Sequence, residues 1–303
     1  MSQIKHGTPE WREMRRGKIN ISTAVNILYP GMTGVRGTPL TEYHRIVSEL
    51  DFNDKPEEHD EELADILSWG SNTEALHMSI LQRKSPEWEI TPNDKLVMHP
   101  DLDFVCGTPD GFGTNKTINR RAIVELKAPI NFEPWGSECP VGPRTQCMLY
   151  ASMCGADMGI VSALIPPTVR VYIINRDGPW EDWAWSTITH FWNEHVVKRI
   201  PPAARYAKDM DALKGMDRQK EKSVELGEEL RMYAEQLEEG KEMIKAGENL
   251  EQHARMKILE AMGDAEVARF KDGTGFQFVT QTRNTPAREA STSTYRVFRQ
   301  LKK

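Results

Sequence analysis

An acid and a base stand almost side by side at the end of an apolar run, in the segment IVELKAP at residues 123–129. Side chains alternate along a β-strand with a period of two, so Glu125 and Lys127 are expected on the same face of a strand. An isolated pair of this kind is also what an exposed strand face carries as a surface ion pair. The segment therefore predicts chemistry only if other polar residues converge on it.

A second carboxylate, Asp110, lies 15 residues before Glu125 in the turn-forming sequence PDG. We expect Asp110 at the turn of a hairpin whose return strand carries Glu125, so that a bend brings the two carboxylates together. Two adjacent anions repel each other, and a bound cation would explain their pairing. Carboxylates and a backbone carbonyl, for which Leu126 is the obvious choice, are oxygen ligands that suit Mg²⁺.

Lys127 adds a third chemical function to the two acids. A lysine beside metal-binding carboxylates can position or deprotonate a metal-bound water, with its pKa lowered by burial and by the nearby cation. Metal ligands, one water and one lysine form the layout of metal-assisted phosphodiester hydrolysis. The spacing, P-D followed by 14 residues and then E-x-K, is a recurrent but degenerate nuclease pattern.

The elements that must position these residues follow from hydrophobic patterning. Short strands are predicted at 95–99, 104–108, 122–126, 159–165 and 170–175, with one helix at 144–154. Other helices are predicted at 40–50, 63–83 and 183–197, and one from Ala24 behind the N-cap candidates Ser22 and Thr23. The acidic segment 51–62 is predicted to be a solvated face or loop. Together these elements predict an α/β (α+β) core with a mostly antiparallel sheet.

The composition changes to glutamate, lysine, methionine and leucine from Asp209. Apolar residues at three- and four-residue steps predict a long amphipathic helix over 217–262, and a hairpin is predicted at 267–270 and 276–280. A basic tail follows Arg283. We therefore expect two domains, a catalytic one over 1–205 and a helical extension over 206–303. The apolar face of the long helix could pack on the catalytic domain, pair with another subunit or bind a partner.

Composition and charge exclude several classes of protein. The chain of 303 residues has a formal net charge of −6, which argues against a general nucleic-acid coat protein but not against an enzyme with a local basic groove. No apolar stretch approaches the roughly 18 residues that a membrane span needs. The four cysteines form no C-x-x-C pair, so zinc-ribbon spacing is absent. We expect a soluble, cytoplasmic protein with free thiols and no membrane association.

Five ordered blocks carry a resemblance to a known family: EWREMRRGKINIS at 10–22, WGSNTE at 69–74, GTPDG at 107–111, VELKAP at 124–129 and QCMLY at 146–150. With these blocks the sequence resembles the YqaJ-type, lambda-exonuclease-like family of phage and prophage recombination nucleases, within the PD-(D/E)xK superfamily. The resemblance covers about two thirds of the chain, residues 7–202. It implies a restriction-endonuclease-like core, a mixed central sheet flanked by helices, with a long-helix extension and a hairpin after it.

The resemblance also implies site residues, position by position. The implied cofactor is one or two Mg²⁺ ions, for which Mn²⁺ can substitute. Trp69 of the second block is expected to be a core or cluster-supporting aromatic and not one that stacks on DNA. The matching positions are Glu74, Asp110, Glu125 and the Leu126 carbonyl for metal; Lys127, Asp110, Glu125 and Gln146 for catalysis; and Arg15 and Ser22, with Arg12 and Arg16 of the same basic cluster, for a DNA phosphate.

The activity that the resemblance implies is a 5′-to-3′ exonuclease on double-stranded DNA ends that leaves 5′-phosphates, in the host cytoplasm if the chain is phage-encoded. Its implied partners are DNA ends, a single-strand annealing protein and further copies of the chain. The extension lies outside the pattern of the compact exonuclease. The sequence therefore leaves open whether this chain forms the ring-shaped trimer of that family. An endonuclease on the same scaffold and a non-catalytic adaptor that binds a recombination partner are the alternatives.

Overall fold

The computed structural model describes residues 5–51, 61–131, 135–215 and 222–279. The chain divides into two compact units, Met1–Met216 and Asp217–Lys303. Most of the acidic segment (52–60) and the basic tail lie outside the described residues. None of the described helices is long and apolar enough to cross a membrane, and all four cysteines are free thiols.

Two sheets form the centre of the first unit. The larger has the order β2-β5-β6-β7-β8, with β6 and β7 parallel and the other neighbours antiparallel, and the smaller has the order β1-β4-β3. The mixed sheet is as expected. The strands are β1 (Ile19–Asn20), β2 (Glu89–Pro92), β3 (Val97–Met98), β4 (Val105–Gly107), β5 (Gly111–Asn115), β6 (Arg120–Lys127), β7 (Met158–Ile165) and β8 (Thr168–Asn175).

Helices flank the sheets, and most of them lie where the sequence predicts them. The helix predicted at 183–197 begins earlier, at Gly178, because the side chain of Asp177 accepts a hydrogen bond from the Trp180 N–H as an N-cap. The helices of this unit are α1 (Pro9–Arg15), α2 (Ile21–Leu28), α3 (Pro39–Asp51), α4 (Glu61–Lys84), α5 (Val141–Met153), α6 (Gly178–Phe191, continued by a π-helical turn at Trp192–Val197) and α7 (Asp209–Gly215).

The larger sheet is covered on both faces. Helix α5 packs on β6 and β7 from one side, and α4 packs on the other side of β6. Alternation along β6 sends Ile123 into the larger core cluster and Val124 into the smaller one, which also contains Leu81 of α4. The two helices therefore hold β6 between them; residues 122–125 are buried, residues 120–121 are exposed, and the carboxyl end, residues 126–127, is partly exposed.

The predicted start of the second helix was wrong. Helix α2 begins at Ile21, not at Ala24, and neither Ser22 nor Thr23 is its N-cap. The N-cap is Asn20, which makes no capping hydrogen bond because its Oδ1 accepts from Nε of Arg15 instead. Burial of Ile21 in the core fixes the helix start, and the propensity of serine and threonine for caps does not.

The predicted position of Asp110 in its hairpin was also wrong. Asp110 does not lie at the turn between two strands; it comes just before β5, at the opposite end of the β5–β6 hairpin from the turn. The sequence hides β5 because GFGTN reads as a turn. Glycine is required there because a Cβ at Gly111 would lie 2.8 Å from the Thr91 carbonyl oxygen of the neighbouring strand. Strand β2, which pairs with β5, was missed with it.

The short helix α7 belongs to the first unit, although the boundary expected at 205/206 precedes it. Its first residue, Asp209, is 1% exposed and accepts hydrogen bonds from the hydroxyl of Thr38 and from the backbone N–H groups of Arg205 and Tyr206. These bonds tie the segment to the residue before α3. A shift in composition at this position therefore does not coincide with the edge of the compact unit.

The second unit contains a long helix and a hairpin. The helix α8 (Arg231–Met262) follows a 3₁₀ turn at Glu228–Leu230, so the start predicted at residue 217 was wrong; residues 222–227 have no helical structure. Gly227 in an extended conformation precedes the turn. The predicted hairpin is confirmed, with β9 (Val267–Arg269) antiparallel to β10 (Gly275–Gln277).

Candidate active site

Strand β6 delivers the acid and the base of the E-x-K segment to the face that α5 covers. Nζ of Lys127 donates hydrogen bonds to Oε1 of Glu125 and, over 3.0 Å, to Oε1 of Gln146 on α5. Glu125 is only 2% exposed. Leu126 faces the other way, toward α4. The pair is therefore not an exposed surface ion pair, which was the simpler interpretation of the segment.

Asp110 lies beside the end of β6 because β5 pairs with it. Gly111 is in register with Val124, and Oδ2 of Asp110 accepts a 2.6 Å hydrogen bond from the backbone N–H of Leu126. That N–H lies between Glu125 and Lys127 in the chain. The hairpin thus brings Asp110 to the E-x-K segment, as expected, although by a different local geometry.

The charged forms of Glu125 and Asp110 are both disfavoured in this site. Burial raises the pKa of Glu125 to about 8, and the charge of Asp110 contributes further in the same direction. Burial also raises the pKa of Asp110, against the opposing effects of Lys127 and of the hydrogen bond from Leu126. An additional positive charge at this place would relieve both effects.

Without a cation in the site the pKa of Lys127 is raised, whereas the lowered pKa expected for this lysine depends on a metal ion beside it. Burial lowers it, but the charges of Glu125 and Asp110 outweigh burial, so the pKa of Lys127 is raised. In this arrangement the lysine is a proton-bearing cation held by two acids. Lys127 can act as a base only if another cation binds Glu125 and Asp110.

Glu74, the expected third acid, projects from α4 toward the same end of the sheet. Its carboxylate is exposed, and burial together with the charge of Asp110 raises its pKa. The charge of Asp110 therefore raises the pKa of both Glu125 and Glu74. Trp69, one turn and a half earlier on α4, is 43% exposed, so the expectation of a core aromatic was wrong.

A cation fits this donor set. Among the described residues no group of three or more His, Cys, Asp or Glu side chains stands ready to hold a metal ion. However, Oε2 of Glu125 is buried without a hydrogen-bond partner in the described part of the chain. A buried anionic oxygen without a donor is costly, and a divalent cation shared with Asp110 would satisfy it.

Tyr150 connects the two sides of the site and was not singled out from the sequence. It lies one turn after Gln146 on α5, and its hydroxyl oxygen accepts a 3.1 Å hydrogen bond from the Thr108 N–H, two residues before Asp110. The hydroxyl is also hydrogen-bonded to the side chain of Gln146. Gly107 permits this approach, since a Cβ there would lie 2.5 Å from the tyrosine ring. The helical spacing of Gln146 and Tyr150 was the available signal.

We expect Tyr150→Phe to slow the DNA cleavage that the sequence resemblance implies by about 10-fold, and to lower the free energy of unfolding by about 1–2 kcal/mol, because it leaves the Thr108 N–H unsatisfied and frees Gln146. Single-turnover cleavage and denaturant unfolding measure the two effects. Tyr172→Phe is the matched control, since the Tyr172 hydroxyl donates to the Gly136 carbonyl without touching the site. A rate unchanged in Tyr150→Phe would contradict the connection.

The basic cluster near the N-terminus is built around one preorganised arginine. The guanidinium of Arg15 lies 3.9 Å from the ring centroid of Trp11, and its Nε donates to Asn20 Oδ1 over 2.7 Å. The indole N–H of Trp11 in turn donates to the Thr108 hydroxyl, next to the strand that leads to Asp110. Burial lowers the pKa of Arg15. These contacts connect Arg15 to the acidic site.

The other residues expected at a phosphate differ in their positions. Ser22 is exposed in the first turn of α2, where backbone N–H groups lack intrahelical partners. Arg12 is exposed on α1. Arg16 is directed elsewhere, because its Nε donates to the Glu49 carbonyl at the end of α3 over 2.6 Å. Of these basic side chains, Arg16 is thus held by the end of α3, and Arg15 by Trp11 and Asn20.

No protein-family model matches the sequence, and no curated protein matches it significantly. Among solved structures, the alkaline exonuclease LHK-Exo from Laribacter hongkongensis is 15% identical, covering 63% of this chain and 97% of that chain, with a TM-score of 0.50. The same exonuclease in complex with dAMP is 13% identical, covering 68% of this chain and 99% of that chain, with a TM-score of 0.51.

At these identities the likeness concerns the fold. The matched structures are covered almost completely, while a third of this chain extends beyond them. The expected fold class is confirmed: a mixed central sheet flanked by helices, with a long helix toward the C-terminus. This chain therefore has the fold of an alkaline exonuclease, consistent with the lambda-exonuclease-like family that its sequence resembles.

Proposed function

We propose that the protein is a Mg²⁺-dependent exonuclease that degrades double-stranded DNA from its ends in the 5′-to-3′ direction. The observation that carries the proposal is the unpartnered, buried Oε2 of Glu125 beside Asp110, with Lys127 on the same strand. Exonucleases among the structural neighbours support the substrate class. The proposal extends beyond the fold, because the metal, the direction and the products rest on the site residues and the sequence resemblance.

Asp110, Glu125 and the Leu126 carbonyl would hold the metal, with Glu74 from the opposite helix. When bound, a divalent cation supplies Lewis-acid activation of a water and charge neutralisation at the phosphate. The acids of this chain contribute by their position: Asp110 is fixed by the Leu126 N–H, and Glu125 by Lys127. Burial of Glu125 keeps bulk water away from one side of the site.

Lys127 would hold or move the proton of the attacking water at its Nζ atom. Gln146 accepts a hydrogen bond from the same Nζ, and Tyr150 restrains Gln146 in turn. The lysine head group is thus held from two directions before substrate arrives. Preorganisation of this kind lowers the cost of reaching the reactive geometry.

Arg15 and Ser22 would bind the terminal 5′-phosphate and set which bond is cleaved. A guanidinium fixed by Trp11 and Asn20 suits bidentate contact with phosphate oxygens, and the exposed first turn of α2 adds N–H donors. Single strands released by such an enzyme are substrates for an annealing protein, which is the partner we propose, along with further copies of the chain.

Duplexes of about 50 base pairs, end-labelled and with or without a 5′-phosphate, test the proposal together with a covalently closed circle. We expect Mg²⁺-dependent release of nucleotides from the 5′-phosphorylated duplex, about 10-fold slower release without the phosphate, and no cleavage of the circle. Arg15→Lys should remove most of the dependence on the 5′-phosphate, because lysine cannot form the planar fork. Cleavage of the circle would instead identify an endonuclease.

A further inference from the structure

A buried polar pair joins α4 to the sheet close to the site. A hydrogen bond of 2.9 Å connects Nε2 of His77 with Oγ of Ser162 on β7. His77 is 1% exposed and Ser162 0% exposed, between the same helix and the same sheet as the smaller core cluster, which includes Leu81 and Val124. A buried polar pair contributes little net stability but fixes relative positions, because the hydrogen bond is directional.

The pair lies next to the proposed metal ligands in the fold. Ser162 is in register with Leu126 across the parallel β6–β7 pair, and Leu126 is the residue whose N–H binds Asp110. On the helix, His77 follows Glu74 by three residues, so the two lie on neighbouring positions of one helical surface. The His77–Ser162 bond therefore links the backbone that carries Glu74 to the strand beside Leu126.

The position of α4 sets where Glu74 lies relative to Asp110. Burial and, after it, the charge of Asp110 raise the pKa of Glu74, so the two carboxylates are close enough for their charges to interact. The neighbouring buried residues of α4, Met78 and Leu81, make apolar contacts that resist separation but not rotation or sliding. His77 supplies no counter-charge, because burial lowers its pKa to about 4 and keeps the imidazole neutral.

We propose that His77, through its hydrogen bond to Ser162, is a positioning residue that holds Glu74 at the carboxyl end of β6 for metal binding. The inference rests on the proposed metal-dependent function and adds to it a residue outside the ligand set. Its effect should appear in the affinity for Mg²⁺, before any DNA is bound. Groups that orient metal ligands without touching the metal typically change affinity about 10- to 100-fold when removed.

The test is a Mg²⁺ titration of the full-length protein without DNA, followed by calorimetry and by the metal-induced rise in Tm. We expect His77→Ala and Ser162→Ala to weaken Mg²⁺ binding about 10-fold. His77→Gln should restore it to within about threefold of the wild type, because a glutamine amide reaches the position of Nε2 and keeps the bond to Ser162. This variant also keeps the test informative if His77→Ala does not fold.

Gln82→Ala is the matched control for stability. Gln82 bonds to the Trp88 carbonyl and the Ile90 N–H, so it too anchors α4. It lies about two helical turns from Glu74, whereas His77 lies about one turn from it. We expect Gln82→Ala to lower Tm and to leave the Mg²⁺ affinity unchanged. If His77→Ala and Ser162→Ala behave as Gln82→Ala does, with lower Tm and wild-type affinity, His77 has a structural role only and the proposal is overturned.

A double-mutant cycle with Glu74→Gln identifies the residue through which His77 acts. We expect His77→Ala to weaken Mg²⁺ binding in the wild type and to have no further effect in the Glu74→Gln background. Equal losses in both backgrounds would overturn the proposed role. A wild-type protein that binds no Mg²⁺ would overturn the proposed function itself, a result distinct from wild-type affinity in the His77 variants.

Discussion

Lys127→Met is expected to reduce the cleavage rate of linear duplex DNA by about 10³-fold at saturating Mg²⁺ while DNA binding stays within a few-fold of the wild type. Methionine preserves most of the side-chain volume and removes the Nζ atom that donates to Glu125 and Gln146. The loss should fall on the chemical step, because Lys127 contacts Glu125 and Gln146, whereas Arg15 contacts Trp11 and Asn20. Single-turnover cleavage and fluorescence anisotropy in Ca²⁺ separate the two quantities.

The matched control for this variant is Lys116→Met. Lys116 also pairs with a glutamate, Glu89, at 2.8 Å, and it follows strand β5 of the same hairpin, but the pair is exposed and lies at the far end from the site. We expect wild-type rates in Lys116→Met. A Lys127→Met protein that cleaves within about 10-fold of the wild type would show that the lysine moves no proton. A wild-type protein that binds DNA in Mg²⁺ but never cleaves it would support the adaptor interpretation.

Asp110→Asn is expected to abolish cleavage, by about 10³-fold or more, and to make the metal-free protein more stable by about 1 kcal/mol. An asparagine Oδ1 still accepts the Leu126 N–H, so the local geometry is kept. The substitution removes a partly buried charge whose own pKa is raised and which raises the pKa values of Glu125 and Glu74. Such opposite effects on stability and activity indicate a site arranged for a cation.

Thermal unfolding in EDTA and in Mg²⁺ measures this prediction. Mg²⁺ should raise the Tm of the wild type through mass action. In EDTA the Tm of Asp110→Asn should be about 2–4 °C higher than that of the wild type, and Mg²⁺ should not raise it further. Asp157→Asn is the control at the other end of β6: Asp157 also accepts a β6 backbone N–H, from Arg121, but its pKa is lowered by that bond and by neighbouring arginines. Asp157→Asn should show full activity, and its Tm in EDTA should not exceed that of the wild type.

Much of the candidate site could be predicted from residue types and spacing. Period-two alternation places Glu125 and Lys127 on one face of a strand, and repulsion between Asp110 and Glu125 indicates a cation whatever the details of the turn. The helices at 40–50, 63–83 and 144–154 follow from patterns long enough to be unambiguous. These are local or pairwise properties, which the chain expresses in any fold that brings the blocks together.

Other features depend on partners that are distant in sequence. GFGTN forms a strand because its glycines let β2 approach, with Thr91 against Gly111, and no local rule predicts that pairing. Asn20 makes no capping bond because its side chain accepts a hydrogen bond from Arg15. Asp209 belongs to the first unit because it accepts a hydrogen bond from Thr38. In each case a tertiary contact outweighs a local preference worth about 1 kcal/mol.

The sequence by itself determined the acids, the lysine and the strand that carries two of them, because alternation and charge repulsion act over short distances. Only the tertiary structure decided that Asp110 precedes β5, that Tyr150 joins Gln146 to the strand before Asp110, and that His77 meets Ser162. The physical reason is that hydrogen bonds between elements require the exact spacing of the packed layers. That spacing is a property of the whole core, and no single segment encodes it.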